Sequence, residues 1–243
     1  MISSVSHTGR RPSPPGALRR DALLLDYGGT IDGDGERWAV RFYRAYQNAG
    51  GTLPFPEFEA LFKESDRQLA REPDIERLGV YDTFERQARL LLALLPDGGR
   101  LDVRAIADPV CTETLETAER NRGLLERLSG SYRIGVVANF TGNLERCLGE
   151  LGMTPYLTAM VDSARVGVTK PDNRIFDIAL RLLDRGAESA WMVGDNFEAD
   201  IRPAAALGFA TCWVAPESRP LPEADVATAR ISRLTDLLGV VSG

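Results

Sequence analysis

Four short runs of mainly apolar residues predict strands along the chain. They occupy residues 22–25, 134–138, 190–193 and 210–214, and the first and third end directly before aspartate or Gly-Asp. Runs that stay apolar at successive positions, instead of alternate ones, are typical of strands that are covered on both faces, as in parallel sheets. The pattern therefore predicts a buried parallel β-sheet.

Between these runs, apolar residues recur with helical spacing. A helix is predicted over residues 144–151, with Gly152 placed to end it. A second helix is predicted over residues 173–185, with Pro171 before it and Gly186 after it. Strands that alternate with helices through right-handed crossovers form a doubly wound sheet with helices on both faces. We therefore predict an α/β fold.

Residues 33–119 interrupt this alternation with helical patterns alone. Asp108 followed by Pro109 is typical of the start of a helix. The segment is too long for a simple crossover between the first and second strands. We predict an inserted, all-helical cap over residues 33–119, above the carboxyl end of the first strand. The α/β core then comprises residues 21–32 and 120–243.

The first 20 residues are rich in Ser, Pro, Gly and Arg, which predicts a disordered tail. The tail has no apolar run that would serve as a signal peptide, and no run approaches the roughly 18 residues that span a bilayer. Acidic residues outnumber basic ones by 35 to 29, so bulk electrostatics disfavour nucleic acids and anionic membranes. We expect a cytoplasmic monomer or homodimer that binds neither.

Two residue counts limit the chemistry further. The only histidine, His7, lies in the tail, which excludes histidine-based triads and multi-histidine metal sites. The three cysteines are far apart and show neither a disulfide framework nor zinc spacing. The chain has only two lysines, Lys63 and Lys170, so the position of each deserves notice.

Polar residues follow three of the predicted strands. Asp26, Asn139 and Asp195 come after the first, second and third runs, and Lys170 lies in the loop before the second helix. Ligands of open α/β sheets bind outside the carboxyl ends of the strands. Carboxylate oxygens hold Mg²⁺, and an ammonium group screens the charge of a transferring phosphoryl group. The sequence thus predicts a site for a divalent cation and a phosphoryl group.

These residues fall into four motifs: Asp26-Tyr27-Gly28-Gly29-Thr30; Val136-Val137-Ala138-Asn139; Lys170-Pro171-Asp172; and Gly194-Asp195 followed by Asp200. In this order and on these elements, they resemble the haloacid dehalogenase-like (HAD) hydrolase superfamily, in the branch with a helical cap after the first strand. The resemblance extends from residue 22 to the C-terminus.

The resemblance implies a reaction and a role for each motif. Asp26 would be the nucleophile and form an aspartyl-phosphate, and Lys170 would orient it. Asp26, the backbone carbonyl of Gly28 and Asp195 would hold Mg²⁺. Thr30 would fix the loop after the nucleophile, and Asp200 would support Lys170. The second motif, Ala138-Asn139, would bind the phosphate, and the cap would exclude water and select a small phosphorylated or phosphonate metabolite.

Two positions depart from the family pattern. Gly28 replaces the aspartate that protonates the leaving oxygen and then activates water. General acid–base catalysis of this kind raises the reaction rate by about 10²–10⁴-fold. Ala138 replaces a hydroxyl donor to phosphate, whose loss reduces the rate by about 10²–10³-fold. Backbone N–H groups nearby remain available to the phosphate.

The sequence leaves three functions open. The first is Mg²⁺-dependent phosphoryl transfer or hydrolysis on a leaving group that needs no proton, such as an acyl or enol phosphate. The second is a phosphonatase-like C–P hydrolase, in which Lys63 forms a Schiff base. The third is a degenerate member of the superfamily that binds its ligand without turnover. Haloacid dehalogenases usually carry tyrosine at position 28 and lack the Gly194-Asp195 motif, which argues against that activity.

Overall fold

The computed structural model describes residues 20–222, 224 and 226–241 of the 243 residues. Apart from Arg20, the predicted tail lies outside the described residues, and so does His7. Within the described residues, no helix combines the length and the apolar character that crossing a membrane requires.

A parallel sheet forms the core, with the strand order β3-β2-β1-β4-β5-β6. The strands are β1 (Ala22–Leu25), β2 (Arg133–Ala138), β3 (Ala159–Asp162), β4 (Ala190–Gly194), β5 (Ala210–Val214) and β6 (Ala229–Ile231). The four predicted strands are confirmed as β1, β2, β4 and β5. The sequence reasoning missed β3 and β6 at the two edges of the sheet, because β3 has only three consecutive apolar residues and β6 is a three-residue strand with Arg230 at its centre.

Both faces of the sheet are buried, which explains its apolar runs. Leu23 and Leu25 of β1 pack into one apolar cluster, whereas Leu24 between them packs into another on the opposite face. The helices of the core are α5 (Leu144–Glu150), α6 (Ser163–Val166), α7 (Asn173–Leu183), α8 (Arg202–Ala206) and α9 (Leu237–Val241). The predicted doubly wound α/β fold is confirmed. Helix α7 ends at Leu183, two residues before the predicted end, and Asp184 takes a left-handed conformation with φ of 53°.

Four helices lie between β1 and β2: α1 (Trp38–Asn48), α2 (Phe55–Leu69), α3 (Val80–Leu94) and α4 (Val103–Ser129). Buried aromatic rings hold the first three of these helices together; Phe42 packs against Phe62 and Phe84 at centroid distances of 5.2 and 5.9 Å. An aromatic pair of this kind contributes about 0.5–1.5 kcal/mol beyond the area it buries. The helical insertion that the sequence predicts is therefore present.

The prediction that a helix starts at Asp108-Pro109 is wrong. Asp102 caps α4, because its side chain accepts a hydrogen bond from the Arg104 N–H, and Pro109 lies inside the helix. Burial of Ile106, Ala107 and Val110 on either side of the proline outweighs the one hydrogen bond that it cannot donate. Helix α4 also runs through the predicted cap boundary at residue 119 and packs against β2. The division into cap and core therefore stays a prediction.

Candidate active site

Three neighbouring strands bring the predicted residues to one edge of the sheet. Leu25 at the end of β1 pairs with Val136 of β2 and with Val193 of β4, so the three strands end within two residues of one another at the same edge of the sheet. Asp26 follows β1 directly and donates its backbone N–H to the Val193 carbonyl at 2.9 Å. Asp195 follows β4 in the same way. The parallel topology therefore places both carboxylates at the same end of the sheet.

Lys170 connects the carboxylates of this edge. Its Nζ lies 2.6 Å from Asp26 Oδ1 and 2.7 Å from Asp200 Oδ1, and it donates to the Val137 carbonyl at 2.9 Å. The ammonium group is buried, which disfavours its charge, but Asp200 and Asp26 outweigh this and raise the pKa of Lys170. Lys170 is therefore a fixed cation that orients the predicted nucleophile.

Of the three carboxylates at this edge of the sheet, Asp195 has the fewest partners. It is buried; its Oδ1 lies 3.4 Å from Thr30 Oγ1, and its Oδ2 has no hydrogen-bond partner among the described residues. Burial, followed by the charges of Asp26 and Asp200, raises the pKa of Asp195 well above its ordinary value. A buried carboxylate oxygen without a partner is costly unless something positive occupies the space beside it.

The donor set beside Asp195 fits a divalent cation. Asp26, Asp195 and Asp200 each offer a carboxylate oxygen, and these oxygens lie within 4.8 Å of one another. Hard oxygen ligands of this kind are the ones that Mg²⁺ prefers. The site also depends on Gly29, because a Cβ there would lie 2.9 Å from the Asp195 carboxylate and φ is +91°. Only glycine meets both conditions without strain.

Thr30 and Asp200 hold the two sides of the site. Thr30 Oγ1 lies 3.1 Å from Asp26 Oδ2, so one hydroxyl faces both Asp26 and Asp195. Asp200 accepts a hydrogen bond from the Asn196 N–H at 3.1 Å while it pairs with Lys170. Burial raises the pKa of Asp200 to about 6 although Lys170 acts to lower it. Both side chains thus contact the cluster of Asp26, Lys170 and Asp195, and their roles in the reaction remain predictions.

The second motif is arranged differently from a simple phosphate cradle. Ala138 is buried and offers no side-chain donor. The amide of Asn139 forms two hydrogen bonds with the backbone of Lys170, donating to its carbonyl at 2.9 Å and accepting from its N–H at 2.7 Å. Asn139 thereby fixes the loop that carries the lysine. Phosphate binding by Ala138 and Asn139 remains a prediction.

Gly28 leaves space that a tryptophan of the cap borders. A Cβ at position 28 would lie 3.6 Å from Cε2 and Nε1 of Trp38, which is an ordinary contact. The indole is itself held in place, because Trp38 Nε1 donates to Asp32 Oδ2 at 2.5 Å. Asp32 is buried, accepts from the Gly29 N–H at 2.6 Å and pairs with Arg41 at 3.3 Å. Position 28 is thus open but bordered by a rigid ring.

A cavity of about 400 Å³ lies between these residues and the cap. Besides Asp26, Gly28, Lys170 and Asp195, its lining includes a group of cap residues that the sequence reasoning largely missed: Arg37, Trp38, Glu59, Phe62, Lys63 and Asp66. Four of these residues lie on α2 with spacings of three or four, so helical periodicity could have placed them on one face. A larger cavity of about 870 Å³ beside α5 contains none of the motif residues.

Comparisons with known proteins agree with this geometry. Residues 20–208 match the family model of haloacid dehalogenase-like hydrolases. The pyrimidine 5′-nucleotidase YjjG of Escherichia coli is 36% identical over 116 residues, which are 47% of this chain and 52% of that protein. The chain spans about half the length of the curated relatives it matches.

Solved structures of the same fold cover nearly the whole chain. YfnB of Bacillus subtilis, crystallised with magnesium bound, has a TM-score of 0.54 and 20% identity, covering 93% of this chain and 100% of that one. A dehalogenase crystallised as an intermediate complex has a TM-score of 0.64 and 16% identity, covering 93% and 98%. At these identities, the similarity shows the fold alone.

Proposed function

The chain belongs to the haloacid dehalogenase-like hydrolases, and from this premise we propose that it is a Mg²⁺-dependent phosphatase or phosphotransferase that works through an aspartyl-phosphate on Asp26. One observation carries the proposal. Lys170 holds Asp26 at 2.6 Å while Asp195 beside it keeps a buried oxygen without a partner among the described residues. A structural ion pair explains the first contact but leaves the second without a reason, whereas a cation site explains both.

The two oxygens of Asp26 have different surroundings, which assigns their roles. Oδ2 lies on the Asp195 side, since Thr30 Oγ1 contacts both carboxylates, and Oδ1 is held by Lys170 Nζ. We therefore assign Oδ1 as the attacking oxygen. Lys170 also stands beside the phosphoryl group as it transfers and stabilises the charge on its oxygens.

Asp26, Asp195 and the backbone carbonyl of Gly28 would hold Mg²⁺, which when bound supplies positive charge to the carboxylates and to the phosphoryl oxygens. The core residues alone offer no proton to the leaving group, because position 28 is glycine and the lysine is held charged. With these residues, the reaction proceeds on acyl or enol phosphates, whose leaving groups depart without a proton.

The substrate class follows from the size of the cavity and from the relatives. A space of about 400 Å³ accommodates a small metabolite, near the lower end of the range for ligand pockets. The relative in Escherichia coli is named for a nucleotide substrate, which is also a phosphate ester. We infer a small phosphorylated metabolite as the substrate.

The direct test is labelling of Asp26. Beryllium trifluoride, a mimic of the aspartyl-phosphate, is expected to bind one equivalent per chain in the presence of Mg²⁺ and none in EDTA. Asp26→Asn should abolish both the labelling and all phosphatase activity. Asp184→Asn, a matched change at a side chain that is 87% exposed, should alter neither. Absence of labelling at saturating Mg²⁺ would leave a ligand-binding protein without this chemistry.

One observation favours a second candidate, C–P hydrolysis of a phosphonate. Lys63 lines the same cavity as Asp26, where an amine could form a Schiff base with an aldehyde substrate. Its Nζ is 3.3 Å from Glu59, however, and the side chain is 62% exposed, so the amine is a solvated ion-pair partner. Borohydride reduction in the presence of a phosphonoaldehyde would modify Lys63 covalently if this candidate were correct, and Lys63→Met would abolish the modification.

A further inference from the structure

The carboxylates around the cavity can be sorted by their partners. Asp26, Asp195 and Asp200 belong to the cluster around Lys170. Glu59 is neutralised twice, since its two carboxylate oxygens lie 3.1 Å from Arg37 Nη1 and 3.3 Å from Lys63 Nζ. These four carboxylates are therefore committed to cations or to the predicted metal site.

Asp66 is the remaining carboxylate that lines the cavity. In the part of the chain that the structure describes, its side chain has neither a hydrogen bond nor an ion pair. The neighbouring Arg67 pairs with Glu64 at 2.8 Å and acts on Asp66 only through its charge. Asp66 lies on α2 in the cap, and it faces the same cavity as the nucleophile Asp26.

The surroundings of Asp66 suit a general acid and base. Asp66 is exposed to solvent, yet the protein around it desolvates the carboxyl, which outweighs the charge of Arg67 and raises the pKa of Asp66 to about 6. A catalytic acid or base works best when its pKa lies near the working pH and when it can exchange protons with water. A carboxyl on a fully solvated helix face would keep its ordinary value near 3.9.

We propose that Asp66 is the general acid and base of this enzyme, supplied by the cap in place of the side chain that Gly28 lacks. The proposal rests on the proposed function at Asp26 and extends its substrates to alkyl phosphates. It differs from the expectation from the sequence, in which the reaction proceeds on a leaving group that needs no proton.

Asp66 gives up a proton in the first step and recovers one in the second. Asp26 Oδ1 forms a bond to phosphorus, the bond from phosphorus to the leaving oxygen breaks, and the proton of Asp66 passes to that oxygen to give an alcohol. The Asp66 carboxylate then takes a proton from water as the water oxygen attacks phosphorus. The bond between phosphorus and Asp26 breaks, which releases inorganic phosphate and restores a carboxylate at Asp26 and a protonated Asp66.

First-turnover kinetics separate these steps. Acetyl phosphate or an alkyl phosphate such as glycerol phosphate, in excess over the enzyme, is mixed with the enzyme in saturating Mg²⁺, and the release of acetate or alcohol is followed through the first turnover. In Asp66→Asn, alcohol release should slow by about 10²–10⁴-fold, because the acid is missing. Acetate release should keep the wild-type rate and stop at one equivalent per site, since acetate needs no proton but the phosphoenzyme now lacks its base.

Controls keep this test independent of folding and of the proposed function. Glu57→Gln, an exposed change on the same helix, should behave as wild type. Asp66→Asn should be at least as resistant to urea at neutral pH, because the raised pKa means that the charge of Asp66 destabilises the folded state. Asp26→Asn should abolish release from both substrates; wild-type enzyme inactive on both would remove the proposed function together with this inference.

Three results would overturn the role of Asp66 while leaving Asp26 as the nucleophile. One is equal slowing of acetate and alcohol release in Asp66→Asn, which indicates a general disturbance of the site. The second is unchanged alcohol release in that variant. The third is wild-type enzyme that turns over acetyl phosphate and no alkyl phosphate, because an acid in the cavity would then have no effect.

Discussion

Replacing Lys170 by methionine tests whether this lysine is what makes three buried carboxylates tolerable. Its Nζ contacts Asp26, Asp200 and the Val137 carbonyl, at 2.6, 2.7 and 2.9 Å, and only 5% of the residue is exposed. Methionine preserves much of the apolar stem but removes the charge and the three contacts. The carboxylates of Asp26, Asp195 and Asp200 then remain close together without a cation.

Two estimates bound the loss of stability that we expect in Lys170→Met. Removing one partner of a buried ion pair costs about 3–5 kcal/mol of folding free energy. Protonating one ordinary aspartate at pH 7 costs about 4 kcal/mol, and a carboxyl of the cluster can escape the repulsion in that way. We therefore expect Lys170→Met to lower the free energy of unfolding by about 3–4 kcal/mol at pH 7.

The stability loss in Lys170→Met should become smaller as the pH falls. Once the variant binds an extra proton when folded, its stability relative to wild type rises by about 1.4 kcal/mol for each unit by which the pH falls. The loss at pH 5 should then be about 1 kcal/mol or less. Urea unfolding in EDTA at both pH values measures it. A loss that is equal at pH 5 and pH 7 would refute the electrostatic explanation.

Lys63→Met is the matched control, because Lys63 is the only other lysine of the chain. It pairs with Glu59 at 3.3 Å, but its side chain is 62% exposed. An exposed pair contributes less than about 1 kcal/mol, so its loss should be small at either pH. If Lys170→Met cost no more than Lys63→Met, Lys170 would not be holding the cluster together.

Three further predictions concern the site and the thiols. In the Asp66→Asn background, Gly28→Asp should restore alkyl-phosphate hydrolysis about 10²-fold or more, whereas Gly28→Asn should not, as steady-state assays would show; equal effects of the two would contradict proton donation from position 28. Asp195→Asn should raise the melting temperature in EDTA, because it removes a charge that burial penalises, and should abolish the further rise on adding Mg²⁺; a retained Mg²⁺ effect would place the cation elsewhere. Native protein should react with a thiol reagent only as it unfolds, since Cys111, Cys147 and Cys212 are buried with raised pKa values, and rapid labelling of the folded protein would contradict this.

Several features of the fold were visible in the sequence because local patterns encode them. Strands buried on both faces are apolar at successive positions, so β1, β2, β4 and β5 were predicted from their runs. The start of α4 was not, because Asp108-Pro109 has the local form of a helix start while the packing of Ile106 and Val110 keeps the helix intact through it. Local propensity is a weak guide wherever tertiary burial opposes it.

The sequence by itself determined the core half of the candidate site. Asp26, Lys170 and Asp195 follow strands or precede a helix, and parallel strands end at one edge of a sheet, so their meeting follows from chain order. Only the tertiary structure decided which cap residues face them. Asp66 lies forty positions from Asp26 on α2, where it shares a helix face with Phe62. The packing of Phe62 against Phe42, which lies on another helix, decides that this face borders the cavity, and no local pattern records such a contact.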